Sequence, residues 1–144
     1  MALINRSAHA VAGKMRAIAR RREGFTHDLK VGDHQLTVDE PQSQGGQDMG
    51  PSPQELLAAS LASCTAVTME MYADRKGWDV DGLEVDCRYT PAERGCPTRF
   101  ELIMKMPAHL SEDQVERLQV IAAKCPVHRT LEGEVAFDER IELT

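Results

Sequence analysis

A single-domain α+β fold of order βββ-α-ββ-α-α-β is expected from three observations. Residues 53–76 form one uninterrupted helical stretch with a start signal and a stop signal. Two pairs of short alternating segments, 25–31 with 34–40 and 83–89 with 100–106, flank that helix and read as hairpins. The chain has 144 residues, no internal repeat and no linker long enough to divide it, which fits one domain with a genuine core.

Residues 1–13 carry few structural signals and read as a loose arm. Residues 14–22 leave two readings open. Their Lys, Arg and Ala content favours a helix, while the alternation of Met15, Ala17 and Ala19 permits a strand. Gly32-Asp33 supplies the turn of the first hairpin. The proline- and glycine-bearing residues 41–51 form a loop into the central helix.

The central helix opens with Ser52 as N-cap, Pro53 at the first helical position and Glu55 placed for a capping box. Gly77 stops it after a rod of about 36 Å at 1.5 Å per residue. No residue from Leu56 to Val67 is charged, so the helix is expected to be buried on every side. One chain of this size has little to cover it with, and the small Ala58, Ala59, Ser60, Ala62 and Ser63 let another helix approach closely. A homodimer is therefore expected. After the turn at 91–97, Ser111 and Gln114 frame a second helix with Val115, Leu118, Ile121 and Ala122 on its apolar face. Pro126 starts a third, short helix, and residues 134–143 close the chain as a strand carrying Val135, Phe137 and Ile141.

The net charge of −6 argues against nucleic acid or an anionic membrane as partner. No 18-residue apolar run suggests a membrane span, and no signal peptide is evident. Four cysteines in that setting are expected to be reduced, in a cytoplasmic protein.

The cysteines differ in context. Cys87 sits at an alternating strand position and reads as packing, and Cys96 lies in a turn. Cys64, between Ala and Thr in mid-helix, reads locally as core. Cys125, just before Pro126, either has its thiolate favoured by free backbone N–H groups or simply terminates a helix. Cys125 and His128 are spaced like metal ligands, but no second close pair accompanies them, so no bound metal is expected. Gly45-Gly46 lacks the spacing of a phosphate loop.

Taken together, Asp39-Glu40-Pro41, Gly45-Gly46, the run from Gly50-Pro51-Ser52-Pro53 to Ala59, Ser63-Cys64-Thr65-Ala66, Met71-Tyr72-Ala73 and Cys125-Pro126-Val127-His128-Arg129-Thr130-Leu131 resemble the OsmC/Ohr family, the osmotically induced and organic-hydroperoxide-resistance proteins. The branch with Gly-Pro-Ser-Pro before the helix is the most similar. The resemblance implies an intertwined homodimer with two sites at the subunit interface. It assigns Cys64 to attack on a small hydrophobic hydroperoxide and Cys125 to resolution of the sulfenic acid as a disulfide. An external dithiol, lipoyl in some members, restores the thiols, with no bound cofactor. Peroxidase members activate the first thiol with an Arg and a Glu. The Glu position holds Gln54 here, with Glu55 next to it, and Arg22 is the nearest match for the Arg. That departure keeps a second expectation open: a non-catalytic module of the same fold that binds a small apolar ligand or senses oxidants through its thiols.

Overall fold

A computed structural model describes residues 14–144, so the reading of 1–13 as an arm lies outside the described residues. The chain divides into two compact units, Met1–Leu56 and Leu57–Thr144.

The first unit is an antiparallel sheet of β1 (Ala17–Glu23), β2 (Thr26–Val31) and β3 (His34–Val38) in sequential order. The open choice at 14–22 falls to a strand. Strands β1 and β2 meet across the two-residue turn Gly24-Phe25, and β2 and β3 across Gly32-Asp33. Each turn has its glycine first, with φ of 53° and 58°, the positive φ that a tight antiparallel hairpin requires there. Pairing to β2 thus overrides the helical propensity of the arginine-rich segment. The register slips between Arg21 and Glu23, leaving Arg22 unpaired in the ladder and free to reach across to the Asp28 carboxylate and the Thr37 hydroxyl.

After β3 the chain makes a loop built around one carboxylate. Asp39 is buried and accepts hydrogen bonds from Thr26 Oγ1 at 2.9 Å and from the backbone N–H groups of Glu40 (2.8 Å), Met49 (3.2 Å) and Gln47 (3.3 Å). The loop is also closed at its neck, where Asp39 N–H donates to the Pro51 carbonyl. Two glycines permit the tight path: a Cβ on Gly46 would lie 1.9 Å from the Glu40 carbonyl oxygen, and one on Gly50 2.1 Å from that of Thr37.

Burial alone would raise the Asp39 pKa, but the bonds from Thr26, Glu40, Met49 and Gln47 outweigh it and hold the group below its ordinary range. A lowered folded pKa contributes stability above the unfolded value that is lost as pH falls through the folded one. Asp39→Asn is therefore expected to lower Tm by roughly 5–10 °C at pH 7, with the gap to wild type closing below the carboxylate range. Thermal melts from pH 7 to pH 2.5 check this, and a gap that is constant with pH would contradict it.

The second unit contains most of α1 (Pro53–Lys76), then β4 (Glu84–Thr90), β5 (Arg99–Lys105), α2 (Glu112–Ala122) and α3 (Pro126–Glu132). Helix α1 starts as its cap residues require: Glu55 N–H donates to Ser52 Oγ, and Ser52 N–H donates to the Glu55 carboxylate. Ser111 and Gln114 close the same reciprocal box on α2. Strands β4 and β5 pair antiparallel, with Tyr89 opposite Phe100 and their rings stacked at 4.7 Å. Met69 and Ala73 of α1 meet Leu118 and Ala122 of α2 at the core, bordered by Trp78, Val85 and Met104.

One expectation needs correction, and the cover expected for α1 is only partly supplied within one chain. Helix α1 is not buried on every side within the chain: its buried residues are Leu61, Thr65, Met69 and Ala73, a single stripe of period four, while Val67 and Met71 are exposed. One chain supplies α2 and a two-stranded sheet, enough to cover one face only. The closing strand is absent. Residues 134–144 have no assigned secondary structure, and Val135, Phe137, Ile141 and Leu143 are exposed, because a strand needs a ladder partner and none is paired with it here. By length and a mean hydropathy of 1.3, α1 would also pass for a membrane span. Its buried stripe packs as the core helix of the second unit.

Candidate functional site

Helix α2 ends with Cys125 N–H donating to the Ala122 carbonyl, and Pro126 starts α3 immediately afterwards. The tight α2–α3 junction leaves Cys125 as the N-cap of α3 and turns its side chain to α1. There it neighbours Cys64, 61 positions earlier in the chain, closely enough for the two thiols to shift each other's titration. Both cysteines are free.

The pair is electrostatically unequal. Burial raises the pKa of both thiols, but at Cys125 it is outweighed by the Cys64 thiol, by the His128 and Val127 backbone N–H groups and by the Thr65 hydroxyl, so its pKa is lowered. At Cys64 burial and the neighbouring Cys125 sulfur push the thiol up, against the Val127 N–H and the Thr68 hydroxyl. Of the two sulfurs, Cys125 therefore carries negative charge more readily and Cys64 keeps its proton. Exposure runs contrary to expectation. Mid-helix Cys64 reads as the sheltered thiol and Cys125 as the offered one, yet Cys125 is 0% exposed and Cys64 is partly open. The N-cap position of Cys125 is enclosed by the packing of α2 and α3, and the small residues around Cys64 leave it uncovered.

The other sequence candidates have separate partners. The Arg22 guanidinium is held by Asp28 and Thr37, and the Glu55 carboxylate by the Ser52 N–H. Cys87 is half-buried on β4 opposite Leu102, where burial raises its pKa, and Cys96 is exposed in the β4–β5 turn.

A cleft of about 530 Å³ is walled by Leu57 and Leu61 of α1, Phe100 and Leu102 of β5, and Leu131 of α3. Cys64 follows Leu61 and Leu57 by three and seven residues, so it belongs to the same face of α1. The cleft's polar lining residues are Thr98, Tyr89 and the pair in which His128 Nε2 meets the Glu132 carboxylate at 2.9 Å, one turn along α3. Sequence reasoning weighed His128 only as a metal ligand; its i,i+4 spacing to Glu132 was the legible signal. Among the described residues no group of three or more His, Cys, Asp or Glu side chains is placed to hold a metal ion. Thr65, which sequence reasoning passed over, is buried against the pair.

Residues 45–140 match the family model described as OsmC-like protein. An uncharacterised protein of Haloferax volcanii is 25% identical over 118 residues, 81% of this chain and 86% of its own length. Among solved structures, an OsmC-like protein from Mycoplasma pneumoniae superposes with a TM-score of 0.71 at 21% identity, covering 83% of this chain and 88% of the other. The organic hydroperoxide resistance protein OhrB of Bacillus subtilis does so with a TM-score of 0.59 at 19% identity, covering 85% and 93%. At those identities the structural matches establish the fold, and the family model, spanning well over half of the chain, establishes descent. With its two cysteine motifs brought together on that fold, the chain belongs to the OsmC/Ohr family, on its OsmC-like branch.

Proposed function

We propose that the protein is a thiol-dependent peroxidase that reduces small hydrophobic organic hydroperoxides through Cys64 and Cys125, working as a homodimer in the cytoplasm and recharged by an external dithiol, such as a lipoyl group. The observation that carries this reading is the meeting of two free cysteines 61 positions apart, one of them on the face of α1 that walls the cleft. The names of hydroperoxide-resistance proteins among the structural relatives agree with it.

The partly open Cys64 is the thiol a peroxide reaches. As its sulfur attacks the distal peroxide oxygen, the Cys64 proton passes to the Cys125 thiolate and on to the departing alkoxide. The products are an alcohol and Cys64 sulfenic acid. The Cys125 thiolate then attacks the Cys64 sulfur; the S–S bond forms, the S–O bond breaks and hydroxide leaves. An external dithiol reduces the disulfide and is itself oxidised. In this scheme Cys125 supplies the base that Gln54 cannot. Alkyl hydroperoxide consumption with dihydrolipoamide tests the reading. Cys64→Ser is expected to reduce turnover by about 10³-fold or more, and equal turnover by that variant would refute it.

A further inference from the structure

We propose that the Thr65 hydroxyl is a positioning group for the resolving thiol, left unpaired in the dithiol so that it can donate to the Cys125 sulfur whenever that sulfur carries negative charge. The inference rests on the thiol-pair reading of the site. Thr65 is 0% exposed, and its Oγ1 is one of two buried side-chain polar atoms without a hydrogen-bond partner among the described residues. A threonine inside a helix ordinarily satisfies its hydroxyl by donating to the carbonyl four residues back. Thr68, three residues on, does so, donating to the Cys64 carbonyl at 2.7 Å. Thr65 does not, and the group beside it is the Cys125 sulfur.

The chemistry explains why such a hydroxyl is kept. A neutral thiol is a weak acceptor, so the Thr65 donor stays unsatisfied while Cys125 is protonated. A thiolate is a strong acceptor, and a donor without a competing partner then gains a full charge-assisted bond. Thr65 joins the Val127 and His128 N–H groups around that sulfur. The titratable groups around Cys125 are Cys64 from α1 and the His128–Glu132 pair from α3. Thr65 itself transfers no proton. It keeps Cys125 anionic and aimed for attack on the Cys64 sulfenic acid.

A merely structural Thr65 and a positioning Thr65 predict opposite results for Thr65→Val. Because the valine removes a buried unpaired hydroxyl, the dithiol form is expected to melt no lower than wild type, while the thiolate loses a donor. The test follows the Cys125 ¹³Cβ resonance against pH in cysteine-labelled protein, in a Cys64→Ser background that removes the coupled titration. Thr65→Val is expected to move the Cys125 midpoint up by about one pH unit, a tenfold loss of thiolate at a given pH below it, and Thr65→Ser to restore it. Thr65→Ala reads the same midpoint if the valine variant fails to fold. A midpoint unchanged in the hydroxyl-free variants, or shifted equally in Thr65→Ser, would overturn the proposal. No peroxide enters this experiment. A shifted midpoint in a protein that never consumes peroxide would therefore refute the peroxidase reading and leave the role of Thr65 standing.

Discussion

Given one equivalent of an alkyl hydroperoxide and no reductant, the wild-type protein is expected to form a single intrachain bridge between Cys64 and Cys125, with Cys87 and Cys96 recovered as thiols. Cys64 and Cys125 are neighbours that shift each other's titration, whereas Cys87 sits on β4 and Cys96 in an exposed turn. Cys125→Ser should consume about one equivalent, more slowly than wild type, and then stop, because Cys64 attacks without its neighbouring base and nothing condenses with its sulfenic acid. Excess peroxide should then drive Cys64 to the sulfinic acid. Recycling by dithiol is expected to fall about 10²-fold or more relative to wild type, since the resolving step becomes intermolecular. Peptide mapping under non-reducing conditions decides the matter. A bridge that includes Cys87 or Cys96, or only bridges between chains, would show that the resolving thiol is another residue.

The second large effect concerns assembly. The protein is expected to sediment at micromolar concentration with twice its chain mass of 16.0 kDa. Three uncovered apolar features support a second copy as the missing cover: Val67 and Met71 on α1, Val31 and Leu36 on the first sheet, and the alternating Val135, Phe137, Ile141 and Leu143 after α3. Phe137 and Ile141 are 82% and 88% exposed, too much apolar surface for a chain that works alone. Replacing both by Asp is expected to weaken dimerisation by about 10²-fold or more, because each charge would need to be desolvated in the interface. A wild-type monomer whose amides are strongly protected from exchange would sink the proposal.

What could be read from the chain in advance was local. The start of α1 rests on three neighbouring residues, Ser52, Pro53 and Glu55, and its predicted end at Lys76 agrees with the structure. The capping box at Ser111, the break at Pro126 and the turn at Gly32-Asp33 are equally short-range. The features that escaped depend on partners distant in sequence. Arginine-rich β1 is a strand because β2 is beside it, and Gly24-Phe25 was the one local hint. Asp39 stands out only once Thr26, Gln47 and Met49 converge on it. The alternation in 134–143 suggested a strand that the structure does not form, because alternation alone supplies no ladder partner. At the site, the identity of the two thiols came from motif resemblance. Which of them is enclosed, and that Thr65 sits beside it, required the fold.

The long sequence separation of the two thiols also bears on the unfolded chain. A bridge between Cys64 and Cys125 would close a loop of about 60 residues, removing conformational freedom from the denatured ensemble worth about 4 kcal/mol. The loop contains β4, β5 and α2, nearly everything that packs against α1 in the second unit. Oxidation would therefore tether the core elements to the central helix at the moment the oxidant is consumed. Heat resistance would rise with peroxide exposure and relax again as the dithiol reductant arrives.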